Sequence, residues 1–279
     1  MIDKRQYREL SLRDVQMLQL ELMKLIHKVC VVHKINYYII AGSLLGAVRH
    51  GGFIPWDDDI DIAMPRADYE QFKKIFSNNF DCNKYFLQYS ETDKCFEPPL
   101  MRLCIRGTTL DIPSEYHLKN CKNTYIDIFP LDNVPQNYKA QQKQAKKISK
   151  YKRIIGLKLY HVYNNNLFVN LLKFIVSCFL KIVSLSYLHK RIEATMTLYN
   201  DDECSKWCSM ASKYSYTKQS MDKKIYGTPT LIKFENEYFF GPQNVDGYLN
   251  QLYGNNYMQL PPESKREHPH KVYIKNIEL

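Results

Sequence analysis

The stretch GSLLGAVRHGGFIPWDDDIDIAMPR, Gly42–Arg66, decides how this chain is read. It sets four carboxylates, Asp57, Asp58, Asp59 and Asp61, within five positions of a chain whose formal net charge is +10. DIDIAM alternates charged and apolar residues at period two, which predicts a strand, and Pro65 ends it. On such a strand Asp59 and Asp61 share one face, while Ile60 and Ile62 point to the other, toward a core. Two carboxylates held side by side repel each other unless a cation lies between them or one keeps its proton. Oxygen-only ligands on a basic protein suit Mg²⁺ or Mn²⁺, above all where the substrate carries phosphate.

Upstream, YYII (Tyr37–Ile40) is aromatic and β-branched and predicts a strand that runs straight into Ala41, Gly42 and Ser43. LLGAVRH then reads as a short helix starting near Ser43. Gly42 lets backbone approach a phosphate closely, and Ser43 with the following amides lies at a helix N-terminus, which attracts anions. Arg49 and His50, a turn or two later, are candidates to add positive charge to the same phosphate. Downstream, YIDIF repeats the apolar–Asp–apolar pattern at Asp127. If its strand neighbours the first, Asp127 faces Asp59 and Asp61. Two cations about 4 Å apart can then grip the attacking and leaving oxygens of an in-line displacement at phosphorus. A lone D-x-D is often only a solvated loop, and DDDID lacks the Gly and distant Glu of a calcium loop. Strand, Gly-Ser turn, helix, D-x-D strand and a third Asp together point to metal-dependent phosphotransfer.

The rest of the chain frames this site. SLRDVQMLQLELMKLIHKVCVVHKIN predicts a long amphipathic helix with Ser11 as N-cap and Asp14 as its reciprocal partner. RADYEQFKKIFSNN is a second helix. KYFLQY, PLMRLCIRGTTLDI and TYIDIFPL are strands, and Arg102 and Arg106 on the second of these are either phosphate clamps or strand exterior. From about 137 to 200 the pattern is helical. The 279 residues, 45% hydrophobic, are ample for one large domain or a core with a smaller attachment. The expected class is α+β (mixed α/β): a core sheet flanked by helices, then a mainly helical second part. Expected units are a catalytic core with its N-terminal helix over 1–135, a helical acceptor-side region over 136–235 and a closing C-terminal block over 236–279.

The basic excess favours anionic partners. Its densest run, KAQQKQAKKISKYKR (Lys139–Arg153), reads as a solvated helix face rather than a nucleic-acid arm, so no nucleic acid is expected. Eight cysteines without zinc spacing, and an N-terminus MIDKRQYREL without an apolar run, predict reduced thiols and a cytoplasmic protein. LFVNLLKFIVSCFLKIVSLSYL, Leu167–Leu188, approaches spanning length but is interrupted by Asn170, Lys173 and Lys181. A helix packed on the core comes first, one lying at the inner face of the membrane second, and a true span last.

The order of elements resembles the nucleotidyltransferase superfamily of the DNA polymerase beta type. AGSLLGAVRHGGFIPWDDDIDIAMPRADYEQF (Ala41–Phe72) resembles the signature of the LicD family, phosphocholine transferases acting on cell-surface glycans. YIDIFPLD (Tyr125–Asp132) is similar to that family's second block, and YLNQLYGNNYMQLPPESKREHPH (Tyr248–His270) to its C-terminal block. The resemblance implies a nucleotidyltransferase-like core and a nucleotide-phosphate turn at Gly42 and Ser43. It implies paired metal ligands at Asp59 and Asp61, and a third carboxylate at Asp127 that is metal ligand, general base or both. Asp57, in the PWDDD wording, is a supporting or additional ligand; Arg49 and His50 contact the diphosphate; Trp56 packs beneath the metal strand or stacks on the donor's base. The final block reads as a cap in which Gly254 permits a sharp turn, and Arg266 and His268 either close over a phosphate or form a docked, solvated tail. The tyrosines at 248, 253 and 257 are either core or a choline pocket.

The implied reaction moves phosphocholine from CDP-choline to a hydroxyl of a glycan, lipid-linked in one version, with release of CMP and with Mg²⁺ or Mn²⁺ as cofactor. Transfer of ribitol phosphate, nucleotidyl transfer with loss of pyrophosphate, and a glycan- or membrane-binding protein with a decayed site are the alternatives. The chain departs from the family where YGNNYM replaces the frequent YGDYM, placing Asn255 and Asn256 in that turn. The middle, about Lys139 to Lys233, carries almost none of the resemblance.

Overall fold

A computed structural model of the protein describes residues 7–79, 83–111, 122–159, 170, 180, 182–266 and 270–275. The long N-terminal helix α1 (Leu12–His33) begins as its sequence predicts. The Ser11 hydroxyl accepts from the Asp14 amide, and the Asp14 carboxylate accepts from the Ser11 amide. Such a reciprocal cap is worth about 1 kcal/mol. The stripe Val15, Leu22, Met23, Ile26, Val29 and Cys30 is buried, and Lys34 ends the helix in the left-handed conformation. Two glutamines, Gln16 and Gln19, are buried among these apolar residues.

A short strand β1 (Tyr7–Glu9) precedes α1, and β2 (Tyr38–Ile39) follows it. Next come α2 (Ala41–His50), β3 (Asp61–Pro65) and α3 (Arg66–Asn79), then β4 (Tyr85–Gln88), β5 (Met101–Ile105), β6 (Thr108–Asp111) and the ten-residue β7 (Tyr125–Val134). The main sheet runs β2-β3-β7-β5-β4. β3 and β7 are parallel and the other pairs antiparallel. The two acid-bearing strands are therefore direct neighbours, the condition on which Asp127 was expected to face Asp61. Ile60, Ile62, Ile126 and Ile128 are buried on the opposite side of these strands. Two segments that read as one strand region, 101–105 and 108–111, part company: β5 joins the main sheet, whereas β6 pairs the C-terminal strand (Lys271–Lys275), which also pairs β1.

The second part is helical at first, with α4 (Tyr138–Leu159) and α5 (Leu185–Met196), and then departs from the expected mainly helical pattern. β8 (Lys206–Cys208) pairs both the far end of β7 and β9 (Ser220–Asp222), and β10 (Thr230–Phe234) forms a hairpin with β11 (Glu237–Gly241). Between them stand the short helices α6 (Tyr216–Gln219) and α7 (Lys223–Tyr226), and α8 (Val245–Tyr253) comes before β12, the C-terminal strand already described. Alternation over three to five residues is too short to stand out beside a long basic helix, so these strands escaped the pattern.

The two parts are joined by a buried ion pair at the far ends of β3 and β7. Arg66 grips Asp132 with Nε and Nη2 at 2.8 and 2.6 Å, and Asn200 Nδ2 donates to the same carboxylate at 2.7 Å. Arg66 also bonds Glu193 of α5 and Glu70. Asp132 is fully buried, and such a charge survives there because its hydrogen bonds are complete. Among the described residues no helix is long and apolar enough to cross a membrane. Most of the apolar stretch 167–188 lies outside the described residues. The described cysteines, Cys30, Cys95, Cys104, Cys204 and Cys208, are free thiols.

Candidate active site

Strand register brings the acids together. Asp61 of β3 lies opposite Asp127 of β7, and Asp127 lies opposite Arg102 of β5. Residues opposite one another on adjacent strands project from the same face, so the sheet carries a row Asp61–Asp127–Arg102. Asp59 precedes Asp61 by two residues and joins that face. Arg102 Nε donates to Asp127 Oδ1 at 2.7 Å, and its guanidinium stacks 3.7 Å from the Tyr125 ring centre. Arg102 is thus placed on the third carboxylate rather than held out as a clamp; burial disfavours its charge, but Asp127 and Tyr125 more than reverse this. Arg106 lies elsewhere, over the Phe86 ring.

The electrostatics follow from this crowding. Asp59 and Asp61 show some surface but are enclosed on most sides, so their charges are poorly hydrated. The Asp61 carboxyl is pushed up to about 8, by burial first and then by the charges of Asp127 and Asp57, with Lys213 and Arg102 opposing. Asp59 is held well above the carboxylate range by burial and then by Asp61 and Asp57. An anionic, all-oxygen donor set that repels itself fits a hard divalent cation. The fit is one of chemistry: among the described residues, no three His, Cys, Asp or Glu side chains are gathered tightly enough to hold a metal as they stand.

The acids open on a cleft of about 360 Å³ whose wall includes Gly42, Arg49, Trp56, Lys213, Tyr214 and Tyr257. Asp57, Asp59, Asp61, Tyr253 and Pro261 line it too. α2 begins at Ala41, two residues earlier than its sequence suggests. Ala41 takes φ 49° and its amide donates to the buried Tyr248 hydroxyl at 3.3 Å. The helical hydrogen-bond ladder starts at Leu44, so Gly42 and Ser43 lie in the first turn, whose amides have no carbonyl within the helix. Gly42 is at the cleft, and a Cβ there would come within 2.9 Å of Asp57 Oδ2. The Ser43 hydroxyl faces inward instead. It accepts from the Asp61 amide at 2.8 Å and so fixes the start of the acid strand.

The remaining expected residues separate into those at the cleft and those beside it. Arg49 lines the cleft and ties down the C-terminal block, with Nη1 donating to the Tyr257 and Gln259 carbonyls at 3.1 and 3.2 Å. His50 is exposed, accepts from Arg49 Nε at 3.0 Å and stands edge-on to Trp56. Arg266 covers the Trp56 ring at 4.4 Å from its centre. Gly254 adopts φ 86° and ψ 173°, an extended positive-φ conformation open to glycine alone, and Asn256–Pro261 beyond it return to line the site. Tyr248 is core, and Tyr257 bonds Asp246. His268 lies outside the described residues.

Several site residues had no sequence motif. Lys213 and Tyr214 reach the cleft from the middle segment. Gln16 Nε2 donates to the Asp57 carbonyl at 2.9 Å, and Gln19 Nε2 to the carbonyls of Asp58 and Tyr125, so α1 holds the acid loop by its backbone. The Asp58 carboxylate turns away from the cleft to accept from the His270 amide at 2.6 Å. The available signal was two glutamines three apart on an otherwise apolar stripe.

Fold and site define an α+β protein whose central sheet presents Asp59 and Asp61 to an open, partly basic cleft, with Asp127 beside them on the next strand. Residues 34–155 match the family model described as LicD/FKTN/FKRP, nucleotidyltransferase domain, and the chain carries a LicD-family domain. The lipopolysaccharide cholinephosphotransferase LicD of Haemophilus influenzae is 28% identical over 280 residues, 96% of this chain and 99% of that protein. An uncharacterized protein of Rickettsia prowazekii is 34% identical over 118 residues, 42% of this chain and 40% of its own length. Ribitol 5-phosphate transferase FKRP of Homo sapiens is 53% identical over 30 residues, 11% of this chain and 6% of that protein.

Proposed function

We propose that the protein transfers a substituted phosphate, phosphocholine in the first instance, from a CDP-linked donor to a hydroxyl of a cell-surface glycan and releases CMP. The observation that carries this reading is Asp59 and Asp61 lining a cleft whose wall also holds the first turn of α2, Arg49 and Lys213, with Asp127 opposite Asp61 on the neighbouring strand. Support also comes from the near full-length similarity to a lipopolysaccharide cholinephosphotransferase.

In the reaction the acceptor oxygen attacks the phosphorus bearing choline. The bond from that phosphorus to the oxygen bridging to CMP breaks, its electron pair leaves with CMP, and the hydroxyl proton passes to a carboxylate. Asp127 is base, metal ligand or both. Asp59, Asp61 and Asp127, with Asp57 beside them, would hold Mg²⁺ or Mn²⁺, which would supply positive charge to the diphosphate oxygens. Arg49 and Lys213 counter the charge of the bound diphosphate. Tyr253 and Tyr257 offer aromatic faces to a quaternary ammonium. The core sheet serves as a nucleotidyltransferase-like scaffold. Free thiols fit a cytoplasmic setting.

The test is incubation with CDP-choline, CDP-ribitol and CDP-glycerol, with Mg²⁺ or with chelator, reading nucleotide products. Mg²⁺-dependent CMP release from CDP-choline above the others is expected. CMP release confined to CDP-ribitol moves the assignment to ribitol phosphate, and pyrophosphate release from a nucleoside triphosphate moves it to nucleotidyl transfer. No turnover of any donor removes the proposal.

A further inference from the structure

α4 has no Asp or Glu in its 22 residues. Lys139, Lys143, Lys146, Lys147, Lys150 and Arg153 are all exposed on it. At 3.6 residues per turn these six fall within an arc of about 120°, on the side turned from the buried Gln144, Ile148 and Ile155, and form a row about 21 Å long. Members of the row stand three and four residues apart, where like charges weaken a helix. Among the described residues none of the six has a carboxylate partner. By contrast Arg13 is paired with Glu235, Arg66 with Asp132 and Arg102 with Asp127.

α5 extends this surface. It packs antiparallel to α4: Gln144 Nε2 donates to the Thr195 carbonyl at 2.9 Å toward one end, and Lys158 Nζ to the Leu180 carbonyl, ahead of α5, at 3.0 Å toward the other. Between them Arg191 Nε donates to the Tyr151 hydroxyl at 3.4 Å. Tyr187, one turn before Arg191 on the same edge of α5, is 54% exposed, and Ile182, in the turn ahead of α5, is 84% exposed. Lys190 and Arg191 are exposed beside them. Glu193, the acid of α5, is bonded to Arg66. Asp201, Asp202 and Glu203 lie at the opposite end of the pair, where Gln136 Nε2 donates to the Glu203 carbonyl at 3.3 Å. One end of the two-helix face is thus basic with exposed apolar side chains, and these three acids are at the other.

We propose that the α4–α5 face docks on an anionic lipid bilayer, with Ile182 and Tyr187 entering the interface and the lysine row lying against the headgroups. A basic helix face alone is ordinarily only solvated. An aliphatic side chain and a tyrosine exposed at its basic end distinguish an interfacial surface, since the tyrosine ring suits the headgroup level and the isoleucine the acyl boundary. The phosphates of a nucleic acid would neutralise the row but offer Ile182 no apolar surroundings. Each cation brought to an anionic leaflet raises affinity about fivefold. Docking of this kind is independent of the transferase chemistry proposed above.

The experiment is co-sedimentation of the full chain with vesicles of phosphatidylcholine alone, and of phosphatidylcholine with about one-third phosphatidylglycerol. Binding to the anionic vesicles is expected, at least tenfold weaker on neutral vesicles and at least tenfold weaker in about 1 M salt. Lys143→Gln, Lys147→Gln and Lys150→Gln combined, which keep helix propensity, should weaken it at least tenfold, and Ile182→Ser at least threefold. Lys28→Gln, Lys74→Gln and Lys94→Gln combined remove the same charge from exposed positions elsewhere and should change it less than threefold. Thermal melts identify a variant that has not folded; if it is the α4 variant, Ile182→Ser, in an exposed turn, decides alone. No binding of wild type to anionic vesicles, full binding by either folded variant of the face, or an equal loss in the control overturns the proposal. A short RNA duplex bound more tightly than the vesicles, and lost in the α4 variant, assigns the face to nucleic acid and overturns it as well.

Discussion

The crowded acids should make the cation-free protein less stable as pH rises. The Asp61 carboxyl is pushed up to about 8, against about 3.8 for an ordinary aspartate. Between those values the folded chain keeps a proton that the unfolded chain has released. Folding then takes up protons, so stability is full below pH 4 and is lost as pH climbs through 8. About four decades at 1.36 kcal/mol each set an upper bound of about 5 kcal/mol for this carboxyl alone. The assay is urea unfolding, followed by tryptophan fluorescence, in chelator at pH 5.5 to 8.5, for wild type and Asp61→Asn. The histidines titrate in both proteins, so the difference between the curves isolates the acid cluster. We expect D61N to be about 1–3 kcal/mol more stable relative to wild type at pH 8.5 than at pH 5.5, since about 2.5 of those decades lie in that window. Millimolar Mg²⁺ should recover much of the wild-type loss. A difference that does not change with pH would refute the claim that Asp61 is crowded by Asp127 and Asp57.

Three further outcomes follow from other contacts. Asp132→Ala leaves the Arg66 guanidinium buried beside only Glu193 and Glu70, and should cost about 3–5 kcal/mol in denaturant unfolding. Gly42→Ala should leave stability level or raise it by up to about 1 kcal/mol, since alanine favours the helix, while displacing the Asp57 carboxylate; donor turnover should fall at least tenfold. Gln19→Leu removes the bonds from α1 to the Asp58 and Tyr125 carbonyls; it should cost about 1–3 kcal/mol in thermal unfolding and lower turnover more than donor binding.

Much of this arrangement was legible in the sequence because it is carried by local pattern. The Ser11–Asp14 cap, the α3 boundaries and the matched apolar–Asp–apolar strands each need only a few neighbouring residues. The shared face of Asp61 and Asp127 followed once those strands were taken as neighbours. What was not legible depends on pairing at long range. Arg102 reads equally well as strand exterior until the register with Asp127 is known. Ser43 reads as a phosphate ligand until its hydroxyl is found on the Asp61 amide. Lys213 and Tyr214 belong to a segment without motif, and only the folding of β8 and β9 against β7 brings that segment to the cleft.

Whether the carboxylate row is a cation site is tested most directly by Mn²⁺ titration followed by electron paramagnetic resonance. In wild type, free Mn²⁺ should be depleted by a saturable site that Mg²⁺ displaces, with affinity at least tenfold weaker in Asp59→Asn, Asp61→Asn and Asp127→Asn. Equal Mn²⁺ binding by wild type and all three folded variants, or none by wild type even with CDP-choline present, would contradict it.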